Sequence, residues 1–413
     1  MKNRHAIFYS MLLPVILMFI GCSSTPVDPD TPFIIEGELS GVPDKVKLAL
    51  VQWDGRTGRS IAIDTLTDGK FRFEEKMTDF LNCMSITAIE PSTTYAEGFP
   101  NNGRTIYVEP AAYIKVKGNN THIITWDVNS KVPEQKEYDK ILNAAKAEYE
   151  AFQEIAIQEV QVLIEMNKLR KSGDTSDKTL ELLQDKRNEY QALIAQSDSL
   201  SNFITLKKVE KMRHMKPSDP WLNELYSIAR MSIVYADYKY KNEAVELYNG
   251  LTDEMKQTEK AKEIYAFLNP PERVKTGDYF PDATFYDLMG NMHHIAEHQG
   301  KYILLDFWSS GCGPCIKAFP EMKELYEKFQ DRLAIVSMSI DTDRRWRQAS
   351  ERHDITWDNW NEGKGMGGLY TDYRITAIPH YVVISPDGRI LEQITAFNKT
   401  YFEELLSKLL VQQ

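Results

Sequence analysis

Short alternating runs of hydrophobic and polar residues mark the first folded part of the chain, residues 33–131. The runs Phe33–Leu39, 46–51 and 113–116 have the period of two that is typical of strands, and turn residues such as Asp68 and Gly69 separate them. This pattern predicts an antiparallel β sandwich or a small barrel.

The pattern changes to a helical period over residues 132–272. Apolar residues spaced by threes and fours form one stripe, which predicts an amphipathic helix, and Gly173 interrupts it before a second helical stretch at about 177–196. These two stretches predict a helical hairpin. Further helices are predicted after Ser201, near Pro220 and over about 252–268. The stripe comprises Leu142, Ala145, Tyr149, Phe152, Ala156, Val160 and Leu163.

Strand and helix patterns alternate over residues 273–413. Tyr302–Trp308 and 333–340 are nearly continuous apolar runs, as expected for strands that are buried on both faces. A helix is predicted from Cys312 towards Phe329, a hairpin over 381–391, and a last helix over 400–410. The chain is therefore predicted to be multidomain, with a C-terminal α/β domain.

The N-terminus has the pattern of a secretory signal, predicted to occupy residues 1–22. A basic start precedes an apolar run over 6–20, which is short for a membrane span, and Gly21 and Cys22 end it. This segment resembles the signal of bacterial lipoproteins, although Phe19 departs from the usual Leu, and it implies lipidation of Cys22. A plain signal peptide and a short anchor helix are the alternatives. Residues 23–32 are predicted to be a tether.

Composition limits the possible partners and the compartment. The 413 residues carry a formal net charge of -11, with 42% hydrophobic and 26% charged residues, which indicates a folded protein and argues against nucleic acid as a partner. The predicted location is the cell envelope, lipid-anchored and facing the periplasm, and the outer membrane is favoured over the inner one. Structural disulfides can persist there.

Two of the four cysteines stand three residues apart, in the order Cys312, Gly313, Pro314, Cys315. At the start of a helix the free N–H groups and the macrodipole stabilise a thiolate, which makes Cys312 the expected nucleophile and Cys315 the resolving thiol. A zinc half-site and a structural disulfide are the alternatives. Zinc would need a second Cys or His pair at ligand spacing, and the nearby histidines do not form such a pair. No metal and no cofactor are therefore predicted.

Residues 306–315, with the sequence DFWSSGCGPC, closely resemble the active-site segment of thioredoxins. The wider segment 277–388 resembles the TlpA/ResA group of membrane-tethered thiol–disulfide oxidoreductases. Residues 33–131 resemble, in pattern only, a β-rich domain of unknown function that precedes such domains in Bacteroidetes envelope lipoproteins. These resemblances imply a thioredoxin-like fold and exchange of protein disulfides.

The resemblance also implies roles for individual residues. Asp306 matches a buried acid that passes protons to and from Cys315. Ile378 and Pro379 match the cis-proline loop that faces the dithiol and binds substrate. Trp308 is expected to shape the active-site loop from below. The expected substrate-binding region comprises Trp308, Gly313, Pro314, Ile378 and Pro379.

Three positions stand apart from this resemblance. Ala318 replaces a glutamate that ResA-like members carry, and His380 replaces the usual Thr or Ser after the cis-proline. His380 could tune Cys312 or simply face the surface. Cys83 is expected to be a small apolar residue of the β-rich domain, and a mixed disulfide with Cys312 is the alternative.

We therefore predict a thiol–disulfide oxidoreductase that exchanges, and more specifically reduces, protein disulfides in the periplasm. Its reductant would be a membrane-bound electron donor of unknown identity, and its membrane contact would be the lipid anchor. Two alternatives remain open: a ligand- or partner-binding envelope lipoprotein with an accessory redox domain, and a thioredoxin-fold peroxidase. The peroxidatic motif that the second alternative requires does not precede Cys312.

Overall fold

The structure is a computed structural model that describes residues 28–53, 58–77, 82–89, 103–235 and 237–411. The predicted signal peptide, the lipidation site Cys22 and the first part of the tether lie outside these residues. Among the described residues, no helix combines the length and the apolar character that a membrane span requires.

Eight strands form two four-stranded sheets at the N-terminal end, in the orders β4-β1-β7-β8 and β3-β2-β5-β6. Both sheets contribute to one hydrophobic core, for example through Phe33 on one and Leu48 on the other. The strands are β1 Phe33–Leu39, β2 Lys47–Trp53, β3 Gly58–Thr65, β4 Lys70–Glu75, β5 Cys83–Ala88, β6 Gly103–Tyr107, β7 Tyr113–Gly118 and β8 Asp127–Asn129.

The predicted β architecture needs two corrections. The two sheets do not close into a barrel within the described strands. In addition, β1 pairs with β7 in parallel, with Ile34 opposite Tyr113, while its other neighbour, β4, is antiparallel. A parallel pair needs a long connection, and here the whole second sheet lies between the two strands in sequence.

Helices occupy the middle of the chain. The second and third form the predicted hairpin, and an N-terminal cap at Ser176, whose side chain accepts a hydrogen bond from the N–H of Thr179, begins the third. The helices are α1 Pro133–Asn143, α2 Lys146–Lys171, α3 Asp177–Arg213, α4 Asp219–Val234, α5 Lys241–Asn249, α6 Asp253–Lys256 and α7 Glu259–Leu268.

The helix boundaries differ from the prediction at three places. The stripe that begins at Leu142 is divided between α1 and α2. The helix predicted to start after Ser201 is instead the continuation of α3. The helix predicted over about 252–268 is divided into α6 and α7, because the Thr258 side chain caps a new helix by accepting the N–H of Ala261.

The C-terminal part is an α/β unit around a seven-stranded sheet, in the order β10-β9-β13-β12-β11-β14-β15. Its central strand β11 runs parallel to β12 and antiparallel to β14, and every residue of β11 is buried. The elements are β9 Phe285–Tyr286, β10 Met292–His293, β11 Tyr302–Trp308, α8 Gly313–Phe329, β12 Leu333–Ser339, α9 Asp343–His353, β13 Asp358–Asn361, α10 Leu369–Asp372, β14 His380–Ile384, β15 Ile390–Thr395 and α11 Lys399–Val411.

The two faces of this sheet have different cores. Leu304 and Trp308 of β11 belong to the face that also contains the two cysteines, α8 and α11. Leu305 and Phe307 belong to the opposite face, whose core includes residues of the helical region. Side chains alternate between the two faces along a strand. In β11 the even-numbered residues therefore lie on the face with the cysteines, and the odd-numbered residues lie on the opposite face.

Candidate active site

Cys312 and Cys315 are joined by a disulfide at the N-terminus of α8, with their Cα atoms 5.3 Å apart. Cys312 is the N-cap residue, and its sulfur accepts the backbone N–H of Cys315 at 3.1 Å. Cys312 is 8% exposed and Cys315 only 1% exposed. Cys312 is therefore the more accessible of the two residues.

The residues around the disulfide explain why a helix begins there. Pro314 occupies the first turn of α8, where its missing N–H removes no helical hydrogen bond. Gly313 and Pro314 are both exposed, so the backbone between the two sulfurs lies at the surface, as a substrate-binding segment requires. The N–H of Cys312 donates to the carbonyl of Ser309 at 3.0 Å, which closes the preceding turn.

Asp341 holds this turn in place, and the sequence prediction missed it. Its Oδ2 accepts the N–H of Ser310 at 2.6 Å and the hydroxyl of Ser339 at 3.1 Å, and the residue is buried. Asp341 follows β12, and Ser310 follows the parallel neighbour β11. The carboxyl ends of parallel strands meet at one edge of a sheet, so the strand order could have revealed this contact.

Asp306 is completely buried on the same face of the sheet as the two cysteines. Its Oδ2 accepts the hydroxyl of Ser337 at 2.6 Å, while Oδ1 has no hydrogen-bond partner among the described residues. Burial raises the pKa of Asp306 from its ordinary value of 3.8 to about 7, and the bond from Ser337 acts in the opposite direction. A carboxyl with such a pKa can both take up and release a proton near neutral pH.

Trp308 is completely buried and packs edge-on against Phe319 of α8, with the ring centroids 5.1 Å apart. Its backbone carbonyl accepts the hydroxyl of Tyr370 at 3.2 Å. The side chain is therefore positioned to shape the active-site loop from below. It does not reach the surface where a substrate would bind, so its expected contribution to substrate binding is indirect.

The Ile378–Pro379 peptide bond is cis, as the resemblance implies. Ile378 is partly buried and packs against the cluster that contains both cysteines, and Pro379 is buried. The loop and the disulfide thus belong to the same cluster, while the role of these two residues in binding substrate stays a prediction.

His380 lies on the other side of the sheet. Its ring approaches that of Phe307, and its Nδ1 is 3.4 Å from the hydroxyl oxygen of Thr395. Burial lowers its pKa. The two suggestions made from the sequence, an electrostatic effect on Cys312 and a surface position, both lose support, because His380 is partly buried on the face opposite the disulfide.

Other candidate residues lie away from this site. Cys83 is a free, partly buried thiol on β5, and burial raises its pKa to about 11, which makes it a poor nucleophile. His293 pairs with the carboxylates of Asp287 and Glu297 and stacks on Trp360. Across the described ranges, no three His, Cys, Asp or Glu residues are grouped in a way that could hold a metal ion.

Comparison with known proteins identifies the C-terminal unit. Residues 300–390 match a family model described as thioredoxin-like. The thiol-disulfide oxidoreductase ResA of Bacillus cereus is 27% identical over 146 residues, which are 35% of this chain and 83% of that protein. The thioredoxin-like protein YneN of Bacillus subtilis is 26% identical over 121 residues, 28% of this chain and 69% of that protein.

Solved structures include similar chains. The thioredoxin domain of a thiol-disulfide oxidoreductase from Bacteroides vulgatus is 29% identical and covers 33% of this chain and 97% of its own, with a TM-score of 0.31. From the family model, the C-terminal unit is a thioredoxin-like domain, and over this part of the chain the protein is similar to thiol–disulfide oxidoreductases such as ResA.

Proposed function

We propose that this protein exchanges, and in the cell reduces, protein disulfides through the dithiol of Cys312 and Cys315. The observation that carries this proposal is the position of the two sulfurs, bridged at a helix N-terminus with the more exposed one first. A buried carboxyl with a pKa of about 7, Asp306, lies on the same face of the sheet.

The first step begins with the reduced enzyme. The Cys312 thiolate attacks one sulfur of a substrate disulfide, the substrate S–S bond breaks, and the departing substrate thiolate takes a proton. The N–H of Cys315, which points at the Cys312 sulfur at 3.1 Å, and the dipole of α8 both stabilise negative charge on that sulfur.

The second step needs a proton acceptor. Cys315 is almost fully buried, so its thiol must lose its proton to a neighbouring group before it can attack Cys312. In our proposal the Asp306 carboxylate takes that proton, the Cys315 thiolate attacks Cys312 to form their disulfide, and the mixed disulfide breaks. The second substrate sulfur leaves as a thiolate and takes a proton from water. The substrate has then gained two electrons, and the enzyme holds the Cys312–Cys315 disulfide.

The substrate would lie across the exposed backbone of Gly313 and Pro314 and beside the cis-proline loop. Ile378 has a backbone that an extended peptide can pair with, and Pro379 offers the sulfurs no metal ligand. Trp308 packs beneath this region without contacting the substrate.

The direction of exchange and the cellular location are proposals drawn from the sequence. A Gly-Pro pair between the cysteines is found in thioredoxin, whose reduction potential of about -270 mV makes it a reductant. With lipidation at Cys22, the protein would be anchored in the envelope and face the periplasm, where a membrane-bound donor would supply electrons to the Cys312–Cys315 disulfide.

The remaining domains would orient the redox site or select its substrates. We propose that the two N-terminal sheets, which share one core, pack as a sandwich. The domain limits that we propose are 33–131 for the β-rich domain, 132–272 for the helical domain and 273–413 for the thioredoxin-like domain.

Trapping tests the proposed chemistry. In a Cys315→Ser variant the second step cannot occur, so substrates should remain on Cys312 as mixed disulfides that dithiothreitol releases. The Cys312→Ser variant is the matched control and should trap nothing. Equal capture by both variants, or capture that resists reduction, would exclude the proposed roles of the two sulfurs.

The reduction potential of the full chain tests the direction. Equilibration with glutathione and then with dithiothreitol, followed by alkylation of free thiols, should place it near the value of thioredoxin. A potential close to that of the oxidant DsbA, about -120 mV, would reverse the proposed direction.

A further inference from the structure

Two side chains behind Asp306 have no role in the proposed steps. Ser337 lies on β12 directly opposite Asp306 in the sheet register, and its hydroxyl donates to Asp306 Oδ2 at 2.6 Å. The indole N–H of Trp357 in turn donates to the Ser337 hydroxyl oxygen at 2.8 Å. Ser337 is completely buried and Trp357 nearly so, so water does not compete for these bonds.

The chemistry of these groups fixes the direction of both bonds. The indole N–H can only donate, and a serine hydroxyl has a single proton to give. The hydroxyl oxygen of Ser337 accepts from Trp357, and Asp306 Oδ2 is the acceptor that the described residues offer to its one proton. Oδ2 must then be an acceptor, because a proton on Oδ2 would face the proton of the hydroxyl.

We infer that Ser337 and Trp357 are positioning residues that reserve Oδ2 of Asp306 as a hydrogen-bond acceptor and leave Oδ1 as the atom that takes up the proton. This inference rests on the proposed role of Asp306 and deepens it. Oδ1 is buried and has no hydrogen-bond partner among the described residues, so the proton that Cys315 releases has one defined destination.

The titratable groups near Asp306 leave this pair as its main polar contact. Tyr381 is its register partner on β14, and Tyr370 on α10 belongs to the core of the opposite face but interacts electrostatically with Asp306. Both remain neutral at physiological pH because burial raises their pKa. Cys315 on α8 lies in the cluster on the same face. Within the described part of the chain, no ion pair involves Asp306, and the bond from Ser337 is the contact that favours its charged form.

The inference predicts what removal of each contact does. A hydrogen bond to a charged acceptor is stronger than a bond to a neutral one, by an amount that corresponds to about one pH unit. Ser337→Ala should therefore raise the titration midpoint of Asp306 by about one unit. Ser337→Thr keeps the hydroxyl and should restore the parent midpoint.

Trp357→Phe is a second test that keeps an aromatic ring in place. The Ser337 hydroxyl then loses its fixed orientation, so the midpoint should rise by less than in Ser337→Ala. Ser350→Ala is the matched control: it also removes a buried serine hydroxyl from the same domain, one that bonds to Trp346 and Asn359, and it should leave the Asp306 midpoint unchanged.

The measurement is a titration of the Asp306 carboxyl by carbon NMR in the oxidised full-length protein with labelled aspartate, assigned with Asp306→Asn. A rise in Ser337→Ala with rescue by Ser337→Thr supports the inference. An unchanged midpoint in Ser337→Ala, or an equal rise in Ser350→Ala, overturns it. If Ser337→Ala does not fold, an unchanged midpoint in Trp357→Phe overturns it.

A second measurement separates this inference from the proposed function. The rate at which Cys315 releases a substrate from its mixed disulfide is followed against pH in the same variants. A release profile that moves with the Asp306 midpoint supports both the positioning by Ser337 and the proposed role of Asp306. If the midpoint moves and the release profile does not, the positioning by Ser337 stands and the proposed role of Asp306 is wrong.

Discussion

The buried carboxyl of Asp306 should make the fold less stable as the pH rises. Burial raises its pKa from 3.8 to about 7 in the folded, oxidised protein, while the unfolded chain has the ordinary value. Between these two values the folded state keeps a proton that the unfolded state has lost, so the free energy of unfolding falls by about 1.4 kcal/mol per pH unit. In total the free energy of unfolding falls by about 4 kcal/mol, and this fall is complete above pH 7.

Asp306→Asn removes this dependence. The amide has nearly the shape of the protonated acid, and its carbonyl oxygen can still accept the Ser337 hydroxyl. We expect the variant and the parent to have similar stability near pH 4. Above pH 7 the variant should be more stable by up to about 4 kcal/mol, an upper bound that water penetration on partial opening would reduce.

Guanidinium denaturation of the oxidised full-length proteins, followed by tryptophan fluorescence at a series of pH values from 4 to 9, measures the difference. Asp331→Asn is the control, because it neutralises an exposed carboxyl of the same domain, and it should follow the parent at every pH. A constant difference between Asp306→Asn and the parent across this range would refute the reasoning.

Three other changes test contacts elsewhere in the chain. His293→Gln should lower stability more at pH 5.5 than at pH 9. Two carboxylates raise the His293 pKa, and their stabilisation, full below about 6.5, is lost as the pH rises through that pKa. Gly37→Ala should lower the thermal midpoint and cost about 1–3 kcal/mol, because a Cβ atom would lie 1.8 Å from the Phe71 ring. Glu263→Ala should lower the free energy of unfolding by about 1–3 kcal/mol and make the Met366 N–H exchange faster with solvent. Unchanged exchange at Met366 would contradict its hydrogen bond to Glu263.

The C-terminal domain could be predicted because its core strands are buried on both faces. Tyr302–Trp308 has apolar residues at six of its seven positions, and all seven are buried; the role of the exception, Asp306, was implied only by the resemblance to thioredoxins. The cysteine pair needed only the local rule that a helix N-terminus stabilises a thiolate. Both features are local in sequence.

The residues that the sequence did not reveal act over long separations. Ser337 and Asp341 contact Asp306 and Ser310 only because β12 lies beside β11 in a particular register. The parallel pairing of β1 with β7 likewise joins segments that lie far apart in the sequence. A one-residue change of register would move all these side chains to the other face, so no pattern within a single segment could predict them.

The helix boundary at Ser201 was misplaced for a different reason. Ser, Asn and Thr often end helices because their side chains compete for backbone hydrogen bonds. In α3 these side chains instead bond backward within the helix: the Asn202 amide donates to the carbonyl of Asp198, and the Thr205 hydroxyl donates to that of Ser201. Their polar groups are therefore satisfied without ending the helix.

The helical region packs against the redox domain through α7. The buried carboxylate of Glu263 on α7 accepts the N–H of Met366 at 3.3 Å, and Gly367 packs so closely that a Cβ atom there would lie 3.2 Å from the Cα of Glu263. A few residues further on, the Tyr370 hydroxyl donates to the backbone of Trp308, just before the active-site turn. Because cores are close-packed and transmit displacement, any ligand that shifts α7 would press on the segment that holds this turn. A substrate-selecting role for the preceding domains therefore has a physical route to the disulfide.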